Sequence, residues 1–110
     1  MTDTRILLCT GEFPPDTNTG GIGTAVRAAA AALAHAGAEV HVLHVAIGLD
    51  HTDDDDPRGF AIHRRPLLAR LGGPWARSGL PQALSFRRYV SELGPFDVVE
   101  APDWEAPSAA

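Results

Sequence analysis

Pro14-Pro15-Asp16-Thr17-Asn18-Thr19-Gly20-Gly21-Ile22-Gly23-Thr24 stands between a short apolar run and an alanine-rich one, and its reading decides the fold. Upstream, Arg5-Ile6-Leu7-Leu8-Cys9 has the length and composition of a buried strand, and Thr10 to Gly23 reads as the long loop that leaves it. Downstream, Ile22, Val26, Ala29, Ala30 and Leu33 recur at helical spacing, and Ala28 to Ala34 is dominated by the best helix former. Gly37 stands where a left-handed cap would end that helix. Just beyond it, Glu39-Val40-His41-Val42-Leu43-His44-Val45 is rich in β-branched residues and reads as a second strand, parallel to the first. Strand, helix and strand in that order make a right-handed βαβ unit. The expected fold class is therefore α/β, a Rossmann-like open, mainly parallel sheet flanked by helices.

The rest of the chain continues the pattern. Asp50 to Gly59 reads as a polar loop, and Phe60-Ala61-Ile62-His63-Arg64 alternates as a short third strand. Arg65 to Pro81 reads as loop, because Gly72-Gly73-Pro74 and Gly79-Leu80-Pro81 break regular elements. Gln82 to Leu93 is expected to be a helix with Leu84, Tyr89 and Leu93 on one side, ended by Gly94-Pro95. Phe96-Asp97-Val98-Val99-Glu100-Ala101 is the fourth strand, after which only Pro102 to Ala110 remain. A parallel strand needs a crossover helix to cover its face. The expectation is one domain over residues 1–110, truncated at its C-terminal end.

Composition narrows the functional classes. The chain has 110 residues, 45% of them apolar, and a formal net charge of −5. Such a balance is that of a globular protein and disfavours nucleic acid as a partner, since phosphate neutralisation needs a basic surface. Acids dominate Asp50 to Asp56. From Pro57 to Ser91 there is no acid, only Arg58, Arg64, Arg65, Arg70, Arg77, Arg87 and Arg88, an asymmetry that predicts one locally positive surface. There is no lysine, which rules out within these residues a P-loop lysine, a Schiff base and a Ser-Lys nucleophile pair. Cys9 is the single cysteine, and the N-terminal residues form neither a leader nor a span, so a reducing cytoplasm is expected.

The chemistry concentrates at the glycine loop. Glycines there let the backbone approach a ligand, and the N–H groups of the first helical turn attract anions, a phosphate or diphosphate above all. In an open α/β sheet that loop and Glu100 to Glu105 converge on the crevice at the carboxyl ends of the strands. The plainer reading is that Gly20, Gly21 and Gly23 only permit a tight helix entry. A dinucleotide site fits poorly: Val26 occupies the third glycine position of G-x-G-x-x-G, and Val45-Ala46-Ile47 offers no acid for a ribose.

Other residues are read as structural. His41 and His44 fall on opposite faces of a strand and cannot share a metal, so no metal site is assigned. His63, beside Arg64 and Arg65, is expected at the surface. Asp53-Asp54-Asp55-Asp56 lacks calcium-loop spacing and reads as a solvated loop. The arginine segment with Leu67, Leu68, Leu71, Trp75, Leu80 and Phe86 raises peripheral membrane contact, but its glycine-proline breaks favour an exposed loop over one amphipathic helix.

The order strand, Pro14-Pro15, Gly20-Gly21-Ile22-Gly23, helix, Gly37-Ala38-Glu39-Val40-His41-Val42 resembles the start of retaining GT-B glycosyltransferases of family 4, the group related to bacterial glycogen synthases. Phe96 to Trp104 is similar to a later strand-and-loop segment of that group. The resemblance implies two Rossmann-like domains facing a cleft, with the acceptor held mainly by this N-terminal one and the nucleotide-sugar by a C-terminal domain outside these residues. It further implies that backbone at Gly20, Gly21 and Gly23 touches the donor diphosphate and that Pro14 and Pro15 stiffen the loop; Asp103, Trp104 and Glu105 are candidates for binding acceptor hydroxyls, since carboxylates and indoles commonly face sugars. Many members carry histidines where this chain has Glu100, Pro102 and Glu105, so no histidine role carries over. No catalytic base is assigned, no metal or other cofactor is expected, and these residues alone should not turn over. Two other classes stay open: a non-catalytic remnant that binds a phosphorylated ligand or a partner protein, and a different Rossmann-like enzyme such as an epimerase or dehydrogenase.

Overall fold

A computed structural model describes residues 4–11, 13, 21–68 and 80–101. The elements run β1 (Arg5–Thr10), α1 (Gly21–His35), β2 (Glu39–Ala46), β3 (Thr52–Asp55), β4 (Ala61–Pro66), α2 (Leu80–Leu93) and β5 (Val98–Glu100). They build a five-stranded sheet in the order β3-β4-β2-β1-β5. Strands β4, β2, β1 and β5 are mutually parallel, and only β3 runs antiparallel, against β4. The fold is Rossmann-like α/β.

The two-residue period of the strands divides the core into two layers. Leu8, Val40, Val42 and Ile62 face α1 and pack with Phe13, Phe60 and Ala30. Leu7, Cys9, Leu43 and Val45 face the other way, against Phe86 and Tyr89 of α2. Fully burying a side chain the size of Phe86 contributes about 2–3 kcal/mol relative to leaving it in water. Consecutive apolar residues in β1 and β2 are thus explained by helices on both sheet faces.

The helix boundaries follow local chemistry. At the end of α1, Gly37 has φ +104°, its N–H bonds the Ala34 carbonyl at 3.0 Å, and the Ala38 N–H bonds the Leu33 carbonyl at 3.2 Å. That pair of bonds is a Schellman cap, which requires the left-handed residue that glycine supplies without a Cβ penalty. Helix α2 begins at Leu80, earlier than the sequence reading, because a proline in the first helical turn sacrifices only an N–H that has no intrahelical partner. Its buried stripe is Ala83, Phe86 and Tyr89, with Leu84 turned outward, 43% exposed. The phase is set by Phe86 docking between the central strands, which leaves the expected Leu84 on the wrong side.

Two further expectations are corrected on the sheet's far edge. Thr52–Asp55, read as part of a polar loop, forms β3 and pairs with β4 from Thr52–Arg64 to Asp55–Ala61. His63, expected at the surface, is half-buried and meets His41 edge to edge, with ring centroids 5.1 Å apart and ring planes 10° apart. Both outcomes have one cause. Antiparallel pairing sets the acidic run beside the basic one, so Asp53 reaches His63 at 2.6 Å and Arg65 at 2.9 Å, while Asp54 reaches Arg64 at 2.5 Å. The positive surface expected from the arginine run is accordingly neutralised at Arg64 and Arg65, and Arg58 pairs with Asp56 at 3.2 Å. At the opposite edge, Val98 and Val99 of β5 are 41% and 40% exposed.

Candidate functional site

Four parallel strands place the carboxyl ends of β1, β2, β4 and β5 on one edge of the sheet, where open α/β sheets bind ligands. Because α1 crosses back antiparallel to the strands, its N-terminus, Gly21 to Gly23, stands at that same edge. The first turn of α1 carries no acidic side chain, so nothing within it cancels the partial positive charge of its amide groups.

Beside this turn lies an open recess of about 220 Å³, lined by Leu8, Cys9, Ala25, Val26, Ala29, Glu100 and Ala101. Alanine makes the recess: Ala25 and Ala29 face it from α1, and their small side chains leave a gap over the ends of β1 and β5. Ala29, expected on the buried stripe, is exposed there instead. Glu100 supplies the acid of the lining, at the end of β5. Of the Glu100 to Glu105 segment expected at this crevice, Glu100 lines the recess, together with Ala25, Val26 and Ala29 of α1.

The neighbouring strand ends are held by polar links to α2. The Gln82 side-chain amide donates to the Val45 carbonyl at 2.8 Å, and the Leu68 N–H donates to Ser85 Oγ at 2.8 Å. Tyr89 donates its hydroxyl proton to the Pro66 carbonyl at 2.7 Å. These bonds tie the exits of β2 and β4 to one rigid helix. Burial raises the Tyr89 hydroxyl above the ordinary tyrosine value, with the Glu92 charge adding to the effect.

Gly21 and Gly23 therefore sit in the first turn of α1, and Gly23 is buried. Gly20, Asp103, Trp104 and Glu105 lie outside the described residues, as do Pro14 and Pro15. Among the described residues no three or more His, Cys, Asp or Glu are grouped to hold a metal ion, and no helix is long and apolar enough to cross a membrane.

The profile of the glycosyl transferase 4-like domain family matches residues 20–110. The chain belongs to this family. No curated protein and no solved structure gives a significant match. The matched span opens at Gly20 and takes in α1, the α1 and β5 sides of the recess and the segment after β5, while Leu8 and Cys9 of the lining precede it. A glycosyl transferase 4-like domain implies binding of sugar donor and acceptor in general, and the recess lies on the edge where a Rossmann-like sheet does its binding.

The alanine floor of the recess escaped the sequence reading. Its only signal was the alanine richness of the helix, which also fits plain helix propensity. The pairing of Glu39, His41, His63 and Asp53 escaped as well, because it depends on strand register.

Proposed function

We propose that this chain is the acceptor-side, N-terminal half of a cytoplasmic GT-B glycosyltransferase that moves a sugar from a nucleotide-sugar donor to a hydroxylated acceptor with retention of configuration. Family membership supports sugar transfer. One observation carries the finer reading: an N-terminal helix turn without acidic residues opens beside a recess at the carboxyl edge of the sheet.

In this reading the amide groups of Gly20, Gly21 and Gly23 receive the donor diphosphate, and a C-terminal Rossmann-like domain outside these residues holds the nucleotide and supplies cationic phosphate ligands. Glycine matters because a Cβ would keep the backbone from the phosphate oxygens. Glu100, with Asp103, Trp104 and Glu105, orients acceptor hydroxyls against the sugar. As the bond between the anomeric carbon and the diphosphate breaks, the departing phosphate oxygen takes the acceptor proton, and the acceptor oxygen bonds the anomeric carbon on the face just vacated. This chain then contributes positioning and stabilisation of the departing negative charge, and no protein base is needed. Those charges are met by amides and by the partner domain, so no metal is required.

The test uses the protein encoded by the complete reading frame. Nucleotide sugars and NAD are titrated by calorimetry, and the anomeric configuration of the product is followed by NMR, with and without a chelator. Binding of a nucleotide sugar, a retained anomer and indifference to chelation are expected. Binding of NAD alone, or an inverted product, would overturn the reading.

A further inference from the structure

A continuous line of side chains crosses four strands on the α2 face of the sheet, near the edge opposite the recess. Arg5 of β1 donates from Nε to Glu39 Oε2 at 2.8 Å, and the same oxygen lies 2.7 Å from His41 Nε2. His41 Nδ1 lies 2.8 Å from His63 Nε2, and His63 Nδ1 lies 2.6 Å from Asp53 Oδ1. Arg65 closes the line at 2.9 Å from Asp53 and is itself 4% exposed.

Proton counting decides what this line can do. Three contacts, carboxylate to imidazole, imidazole to imidazole and imidazole to carboxylate, each need one proton to be attractive. Two neutral imidazoles carry only one N–H each. With both rings neutral, either two ring lone pairs confront each other between His41 and His63, or a lone pair confronts a carboxylate. One added proton fills every contact, whereas a second would put two N–H groups head to head. A metal ion does not fill the gap instead: zinc–nitrogen bonds of about 2.0–2.1 Å in tetrahedral geometry hold two ring nitrogens further apart than this pair.

We propose that Glu39, His41, His63 and Asp53 form a one-proton switch that fastens the acidic edge strand β3 to the sheet while the histidine pair holds a single extra proton. The surroundings favour that state. Two carboxylates flank the pair, Asp55 and Asp56 line the same surface recess as His41, and Arg5 and Arg65 are engaged at the outer ends of the line. Asp97, from the segment entering β5, is bound to the Arg5 backbone, and Tyr89 of α2 lies under Arg65 at 6.0 Å. The uncharged Phe96 ring packs edge-on against His41 at 5.3 Å. Burial holds His63 below the ordinary histidine value, Asp53 draws it back up, and a charge on His41 pushes it down, which opposes the second proton. The three contacts accept one added proton and oppose a second, so β3 is held most firmly with one.

The experiment is histidine-selective ¹⁵N NMR on the full-length protein, combined with amide exchange of Thr52 to Asp55. The expected result is a state with three protonated nitrogens shared by His41 and His63, distinct from the states with two and with four. Protection of the β3 amides, corrected for intrinsic exchange, should fall about tenfold once the shared proton is lost, because the His63–Asp53 hydrogen bond then loses its charge assistance. His41→Gln should remove this pH dependence while β4 remains paired to β2. Single-step titration of both rings with one N–H on each, or β3 protection that is the same on either side of the transition, would overturn the switch.

Discussion

Asp53 Oδ1 and Arg65 Nη2 lie 2.9 Å apart, joining the two stretches of sequence that differ most in charge. The acidic run occupies β3 and the first arginines of the basic run occupy β4, so the antiparallel hairpin turns a charge asymmetry along the chain into charge neutrality in space. Arg65 also donates from Nη1 to the Thr52 carbonyl at 3.0 Å and the Arg64 carbonyl at 2.9 Å. A buried guanidinium is tolerable only with such full engagement.

Arg65→Ala is expected to cost about 2–4 kcal/mol, since it strips partners from Asp53 and from two backbone carbonyls. Arg88→Ala removes a solvent-exposed pair with Glu92 at 2.9 Å and should cost no more than about 0.5 kcal/mol. Denaturant midpoints of the two variants measure the contrast.

Gly37→Ala should destabilise by about 1–2 kcal/mol through backbone strain alone. A Cβ at that position meets nothing within 4 Å, so packing adds no cost. Gly37→Asn should recover part of the loss, because asparagine tolerates the left-handed region better than alanine. Thermal unfolding of the three proteins checks the order.

Acid should weaken the fold from pH of about 4 downward. Burial raises the Asp53 carboxyl, but hydrogen bonds from His63 and Arg65 outweigh it and leave it below the ordinary aspartate value. Hydrogen bonds from His41 and Arg5 lower Glu39 likewise. Carboxyls depressed in the folded state contribute stability above their unfolded values and lose it as pH falls through the folded ones. Asp53→Asn and Glu39→Gln should flatten the acidic limb of a stability profile recorded by denaturant titration.

Alkali should act through Tyr89. Its hydroxyl value is raised in the folded state, so its contribution is complete below the unfolded tyrosine value and is lost as pH rises past about 10. Tyr89→Phe removes the bond to the Pro66 carbonyl, costs about 1 kcal/mol at neutral pH, and should erase that part of the alkaline loss. Circular dichroism across pH reads both effects.

Ala25→Trp should block the recess while sparing the fold, because Ala25 is exposed and lines the gap. On the proposed function, the kcat/KM of the full-length enzyme should fall at least about tenfold, equivalent to 1.4 kcal/mol of transition-state stabilisation, with an unchanged unfolding midpoint. Undiminished kcat/KM would remove the recess from the site.

The βαβ start was legible because each element carried its own local signal. Apolar runs mark β1 and β2, alanine marks α1, and Gly37 marks the cap that the φ of +104° bears out. The family was legible from the same residues, since glycine turn, helix and second strand come in the order of a glycosyl transferase 4-like domain. β3 was not legible. Thr52-Asp53-Asp54-Asp55 is three-quarters aspartate, which strands disfavour, and local propensity would not pair it. Its stability comes from histidine and arginine partners on another strand, which a reading along the chain cannot see.

Sequence by itself determined the parallel sheet, the helix on its first face and the glycine turn at its carboxyl edge, because period, propensity and capping act within a few neighbouring residues. Only the tertiary structure decided which side of α2 is buried, how the charges of β3 and β4 cancel, and that His41 meets His63. Those outcomes depend on strand register and on packing against residues distant in the chain, where a shift of one position would turn every side chain to the opposite face.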